Sequence, residues 1–511
     1  MQAITRRFSF NLKLIDAVLL TAAADLLFFR KEPGSTLGLF ALLWIAGLAF
    51  AVPAIRKQPA ARIALALALA PALTLADYPN GLSWLLFCAA LASATILSRR
   101  EFHDAAQHAL RLVMLGVAGL LGPARDMLRL IRLPRPRLRS SLLRAAATLA
   151  LPLMGGAIFT SLFATANPLV ERLLPDFALP SLDIPFFVFT ALAFTLVWAA
   201  FRPSRFAIDR RFGLGKPIDL PGVTAPSILI SLFLFNTIFA VENGLDIAFL
   251  WSGAPLPAGM TLAEYAHRGA YPLIVTALLA GAFVLITAHP ETEVGRHPLI
   301  RRLVVLWTAQ NLILVASSVI RTLDYIDAYM LTSLRIAALV WMALVASGLV
   351  LICLRMIWRR SLAWLINRVA AAALISLFCS STVDIDAVAA EWNVAHAREV
   401  SGAGQPLDVG YLNRLGSSSL VALARLETDP RLVDDVFRDR ITHLREQVVS
   451  DMMRRQSEDY GWTWRNDRRL KAAQAILGPH PHLSRKAPCG RGMNGHVYVC
   501  PKTTLTLPAK P

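Results

Sequence analysis

The chain has 511 residues, 56% of them hydrophobic and 17% charged, with a mean hydropathy of +0.52; soluble domains carry about 25% charged residues, so an ordinary soluble protein is excluded. The formal net charge of +18 would suit nucleic acid, but the arginines lie between apolar runs and not on a polar face with interleaved aromatics, so no nucleic-acid partner is expected.

Apolar runs approaching or reaching the length of about 20 residues that crosses a bilayer occur, in chain order, at 14–29, 37–55, 63–76, 81–98, 145–163, 185–201, 225–243, 269–288, 303–320, 333–354 and 362–380. Hydrocarbon offers no water to satisfy backbone groups, and the alternation of a β-barrel strand is absent, so these runs predict helices. The expected fold is all-α: a transmembrane bundle of about eleven spans followed by a helical C-terminal extracytoplasmic domain. The run 63–76 is the weakest, being short and interrupted by Pro71. Asp16 interrupts the first run and another span follows at once, which favours an uncleaved first helix over a signal peptide.

Basic residues set the orientation, because Lys- and Arg-rich connections stay cytoplasmic. The N-terminus, "RKQPAAR" at 56–62, the segment 99–144, "RPSRFAIDRRFGLGK" at 202–216, "GRHPLIRR" at 295–302 and "RMIWRR" at 355–360 share one side. That places the N-terminus in the cytoplasm and the tail from 381 in the periplasm of a bacterial inner membrane. "RKEPG" at 30–34 is an exception. The expected divisions are N-terminal spans at 1–98, a basic cytoplasmic or interfacial segment at 99–144, a main bundle at 145–380 and a periplasmic tail at 381–511. Cys88, Cys353 and Cys379 lie in or beside apolar runs, whereas Cys489 and Cys500 sit in a loop-like stretch of the tail, where a disulfide could close in an oxidising compartment.

The stretches "FTSLFATANP" (159–168), "FNTIFAVENGLDIAFLWSG" (235–253), "TLAEYAHRGAYPLIVTALL" (261–279), "SSVIRTLDYIDAYMLTSLRI" (317–336) and "LDVGYLNRLG" (407–416) resemble a bacterial family of multi-pass inner-membrane proteins known only as a domain of unknown function. The resemblance runs from about Phe159 onward, about two-thirds of the chain. It implies the membrane architecture and brings no activity, cofactor or catalytic residue. The family pattern has two basic residues before the glycine of the third stretch; here His267 precedes Arg268.

Within 99–144, Arg129, Arg132, Arg135, Arg137 and Arg139 alternate with leucines and prolines. They are candidate contacts for anionic headgroups, each basic residue contributing about 1 kcal/mol near such a surface, or they serve as topology anchors alone. Buried-polar candidates are Asp16 and Asp25, Asn236 and Glu242, Gln310 and Asn311, and Asn367 and Arg368. Helix-helix hydrogen bonding accounts for most such residues in bundles.

The expected outer ends of the spans gather charges of both signs. Asp25, Glu242, Asp246, Glu264, His267, Arg268, Arg321, Asp324, Asp327 and Arg335 lie there with Tyr265, Tyr271, Tyr325 and Tyr329. Interfacial tyrosines and helix-end pairs are the plain explanation; a polar vestibule or docking surface beneath the tail is the functional one. The stretch 317–336 is the leading candidate for the contact between bundle and tail, because its arginines break the basic-inside rule. In the tail, Val433, Phe437, Ile441, Leu444, Val448 and Met452 make one helical stripe suited to a core.

No catalytic motif, phosphate loop or zinc-protease helix occurs, and no metal or cofactor is expected: the spacing of His480, His482, Cys489, His496 and Cys500 fits no paired Cys motif. The expected partners are anionic lipid and an envelope protein. The expected role is binding, scaffolding or envelope signalling. A small-solute or ion transporter built on Asp25, Glu242 and Asn311 is a second possibility, and an envelope enzyme at the periplasmic face a third.

Overall fold

The computed structural model describes residues 2–132, 152, 155–156, 183–203, 224–249, 251, 279, 297–457, 460–479, 481–484, 488–491 and 497–499. The helices are α1 (Gln2–Phe28), α2 (Thr36–Ala51), α3 (Pro53–Lys57), α4 (Pro59–Leu67), α5 (Leu69–Asp77), α6 (Gly81–Leu97), α7 (Ala105–Leu120) and α8 (Gly122–Arg132). There follow α9 (Ile184–Phe201), α10 (Ala225–Phe249), α11 (Pro298–Tyr329), α12 (Ser333–Trp358) and α13 (Leu362–Thr382). The C-terminal set is α14 (Ile385–Ala395), α15 (Arg398–Ser401), α16 (Val409–Leu415), α17 (Leu420–Thr428), α18 (Asp435–Ser457) and α19 (Trp464–Leu477). A short antiparallel ribbon, Pro488–Arg491 with Val497–Val499, stands where the sequence suggests only a loop.

Six described helical stretches are long and apolar enough to cross a membrane: Pro59–Asp77, Ile184–Phe201, Ala225–Ala248, Pro298–Tyr329, Ser333–Trp358 and Leu362–Thr382. Thr36–Ala51, Gly81–Leu97 and Ala105–Leu120 are apolar but shorter. The spans expected at 145–163 and 269–288 lie outside the described residues, isolated positions apart. The first of the six is broken at Ala68 between α4 and α5. Pro71 lacks the N–H that would bond the carbonyl of Leu67, and its ring crowds that carbonyl, so the helix interrupts one turn before the proline.

The chain divides into two compact units. In the first, made of Met1–Leu69, Phe87–Phe102 and Ala109–Arg211, α1 and α9 run antiparallel. Phe10 meets Trp198 at 5.9 Å, Phe29 meets Phe186 at 5.2 Å, and Arg30 pairs with Asp183 at 3.1 Å. Asp25 accepts a 2.9 Å hydrogen bond from Thr190. Buried Asp126 accepts a hydrogen bond from the Trp198 indole at 3.1 Å and forms an ion pair with Arg202 at 3.3 Å. Aromatic edges and hydrogen bonds between helices supply association where lipid leaves little hydrophobic driving force. Gly119 lets α7 approach α9 closely: a Cβ there would lie 2.8 Å from the Cβ of Ala199.

The second unit, Ala70–Leu86, His103–His108 and Phe212–Pro511, holds α10 to α13 and the C-terminal helices. Ile228, Leu232, Ile300, Val304, Trp307 and Met356 form one apolar core. Outward faces are apolar too: Ile230 is 69% and Ile375 64% exposed, the pattern of helices whose solvent is lipid. Asn367 at the start of α13 accepts from the Ala105 N–H at 2.7 Å and so caps α7, and Arg368 lies over the Trp364 ring at 5.9 Å.

The C-terminal helices share a core of Leu412, Leu420, Leu423, Leu426, Ile441, Leu444, Val448, Met452 and Ala473. The expected stripe is therefore buried along α18 from Ile441 to Met452, with Phe437 partly buried. Val433 departs from it, 86% exposed, because α18 begins only at Asp435. Before α18, Arg431 hydrogen-bonds Asp429 and holds its carboxyl below the usual carboxylate range. Arg445 and Glu427 form a fully buried pair at 2.9 and 3.2 Å, and Arg445 also donates to the carbonyl of His482 at 2.7 Å.

Two stability measurements follow from this packing. Gly119→Val should cost about 1–3 kcal/mol by overpacking the α7 and α9 contact, read as a lower thermal midpoint of the detergent-solubilised protein. Arg445→Ala should cost about 3–5 kcal/mol, because Glu427 is left buried and charged; pairing it with Glu427→Leu should recover much of the loss.

Candidate functional site: a clasp between helix ends and the C-terminal helices

The site forms around the tight turn between α11 and α12. Met330 ends α11 with φ +67° and ψ 168°, a region that costs a side chain of order 1–3 kcal/mol and persists only where the surroundings impose it. Here its side chain is buried in the core of the C-terminal helices. Ile326 and Leu331 join it against Ala389, with Trp392 and Tyr411 alongside.

Polar groups close the same junction. The side chain of Asn393, on α14 and 2% exposed, accepts from the Leu331 N–H at 2.7 Å and donates to the Leu331 carbonyl at 2.9 Å. One side-chain amide thereby satisfies both backbone groups of a buried turn residue, which would otherwise be costly to bury. The Ser333 N–H donates to the Tyr411 hydroxyl at 2.9 Å, and the Ser333 hydroxyl bonds Asp386. Arg335 folds back, donating to the carbonyls of Tyr329 at 2.7 Å and of Met330, with its guanidinium 4.2 Å from the centre of the Tyr325 ring. Tyr325 and Tyr329 are 4.9 Å apart.

A second set of contacts comes from α19. Arg465 bonds Asp77 at 2.9 Å and the carbonyl of Thr382 at 2.9 Å, and Arg468 reaches the other oxygen of Asp77 at 2.5 Å. Arg469, 7% exposed, donates to Ser417 and Ser418 at 2.8 Å and to Asn466 at 2.7 Å, and pairs with Asp384. Asp384 also caps α14 by accepting from the Ala387 N–H at 3.1 Å. Asn80 donates to the carbonyl of Ser381 at 3.2 Å. Three chain connections, at 77–80, 330–333 and 381–384, thus meet under α14, α16 and α19. Several partly desolvated pairs sharing partners hold better than isolated surface pairs.

Below the turn, Arg321 on α11 pairs with Asp246 on α10, their side chains 7% and 5% exposed. The partner of Arg321 is thus an acid from a neighbouring helix. The same face continues toward Asn236: the Asn236 amide donates to the carbonyls of Leu232 at 2.7 Å and Leu303 at 3.2 Å, while Gln310 donates to its oxygen at 3.1 Å. Asn243 donates to the carbonyl of Gln310 at 3.3 Å, and the Trp251 indole to Ser317 at 3.1 Å.

Of the residues singled out in the sequence, Arg321 and Asp246 form the buried pair, and Arg335, Tyr325 and Tyr329 gather at the turn. Asp324, Asp327 and Glu242 are exposed. Asp25 belongs to the first unit, where it bonds Thr190. Glu264, His267, Arg268, Arg135, Arg137, Arg139 and Cys500 lie outside the described residues, as do the side chains of Arg129, Arg132 and Cys489, so the headgroup contacts and the disulfide fall there. The sequence reading missed Asn393, Tyr411, Asp384, Asp386, Asp77 and the α19 arginines. "WRNDRR" at 464–469 places Arg465, Arg468 and Arg469 at i, i+3 and i+4, one helix face. That was the available signal.

These features define a predominantly helical membrane protein whose helix ends are bound to a cap of C-terminal helices. The chain belongs to the family described as Domain of unknown function (DUF4153), whose model matches residues 43–426. The match starts well before Phe159 and ends within α17, ahead of α18 and α19. No curated protein and no solved structure shows a significant match.

Met330 offers a test with opposed terms. Met330→Ala and Met330→Gly both remove the buried side chain, but only glycine adopts this backbone freely. Met330→Gly should therefore be the more stable of the two by about 1–3 kcal/mol, measured by thermal melting with protection of α14 to α19 from protease as the local readout.

Proposed function

We propose that this is a multi-pass bacterial inner-membrane protein of about eleven spans, with a cytoplasmic N-terminus and periplasmic C-terminal helices, acting as a binding, scaffolding or envelope-signalling component. The carrying observation is the clasp. Three helix connections converge on one folded set of helices, and Met330 and Asn393 join the two through core and hydrogen bonds. A cap held this way moves with the helix ends beneath it. Binding to the cap is coupled to the arrangement of the spans, and the reverse holds by linkage.

Helix directions support the span count. Counted along the sequence, α1 and α9 are the first and sixth spans, of opposite direction, and they pack antiparallel. By the same count α10 and α11 are the seventh and ninth, of equal direction, and their contacts advance together along both helices. Equal direction is what one further span between them, the expected 269–288, would produce. The basic segment 99–144 would face anionic headgroups on the cytoplasmic side.

The transporter reading fits less well. It calls on Glu242, which is exposed, while its neighbour Asn243 is the residue turned toward α11.

A periplasm-active reporter fused after Ser381 should be active, and a cytoplasm-active one silent; the reverse pattern would overturn the orientation. For the binding role, a partner that co-purifies with the intact protein should be lost on deleting residues 384–511 while the bundle stays inserted. Retention of every co-purifying protein after the deletion would count against it.

A further inference from the structure

Two polar contacts between α10 and α11 repeat at a seven-residue spacing: Asn236 to Leu303 and Asn243 to Gln310 are each 67 residues apart, and just past α10 Trp251 reaches Ser317, 66 apart. Two parallel helices therefore face each other along a heptad-spaced polar seam, with the Asp246 and Arg321 pair in it.

Hydrogen bonds fix how the side-chain amides point. The nitrogen of Asn236 serves two carbonyls, so its oxygen must receive Gln310, which turns the Gln310 nitrogen toward Asn236. The nitrogen of Asn243 serves the Gln310 carbonyl. Oxygens are left over: Oδ1 of Asn243, Oδ2 of Asp246 and Oε1 of Gln310 are all buried and receive no hydrogen bond from any described residue. Asn243 and Asp246 are each 5% exposed and three positions apart on one helix, so their side chains are neighbours on the same face.

The chemistry selects the ligand. The oxygens of Asn243 and Asp246 can only accept, so a ligand there must donate to both. A bare cation would bring a charge that nothing balances, because Asp246 is already neutralised by Arg321. A neutral molecule with two donors and acceptors of its own fits, and the smallest is water, which in protein interiors bonds about two to four polar partners.

We propose that the α10 and α11 seam is a binding site for internal water, held by Asn243 and Asp246. The water supplies the second carboxylate oxygen of Asp246 with the hydrogen bond that a buried ion pair needs on its remaining lone pairs. The site is thus a structural part of the pair, and its loss weakens the helix contact.

The test uses the full-length protein in nanodiscs. Brief X-ray radiolysis in ¹⁸O-labelled water oxidises side chains beside bound internal waters even where bulk solvent does not reach. Leu314, one turn beyond Gln310 and 3% exposed, should take up label in the wild type. Asn243→Leu should abolish that label and lower the thermal midpoint, while Asn243→Ser, which keeps an acceptor, should retain the label. An unlabelled Leu314 in the wild type would overturn the proposal, whether the seam is dry or another segment supplies the donors. So would Asn243→Leu that keeps the label, or that raises the midpoint by removing a dry, unpaired acceptor. If Asn243→Leu does not insert, the comparison of wild type with Asn243→Ser decides: loss of label in the serine variant shows that the acceptor holds no water.

Discussion

The turn Met330–Thr332 cannot satisfy itself. It buries a backbone peptide at Leu331 and forces Met330 into a conformation that side chains avoid, and both debts are met from outside by Asn393 and by the core of the C-terminal helices. Unsatisfied buried peptide groups and a strained residue would each destabilise the turn. The consequence is mutual dependence: α11 and α12 need the C-terminal helices to hold their connection, and those helices need Met330 to complete their core. The arginines of α19 extend the arrangement to the ends of α5 and α13.

Apolar length made the helices legible, since runs such as 333–354 permit little else in hydrocarbon. The stripe from Ile441 to Met452 was legible for a different reason, as a three-and-four period that a packed helix explains. Boundaries were less so: Val433 fits the stripe by spacing but precedes the helix. The oddly charged stretch 317–336 was visible as an anomaly, because its arginines fall on the side that the expected topology keeps poor in basic residues. Its partners were not visible. Asn393 lies 62 residues from Leu331 and Arg465 lies 388 from Asp77, and pairing at such range depends on the packing of every intervening helix.

Polarity within a span proved a poor guide to which side of the helix matters. Glu242 carries the charge that draws attention, yet Asn243 makes the contact, because neighbouring residues on a helix point about 100° apart. The sequence position of a polar residue says that a helix has a polar side; only the neighbouring helix says which one it is. The same holds for Asp324 and Asp327, exposed on α11 while Asp246, on another helix, meets Arg321.

The seven-residue repeat of the Asn236 and Asn243 contacts limits how α10 and α11 can move. If either helix slid by a single residue, each amide would face a partner meant for its neighbour, and the carboxylate would leave its guanidinium. The next position at which the pattern repeats is seven residues on, a travel of roughly 10 Å, too far for a thermal excursion inside a bilayer. The two helices are therefore keyed against axial travel, like a shaft in a slotted hub. A displacement of the C-terminal helices that reaches this pair is therefore carried by both helices together, as a tilt and not as a slide.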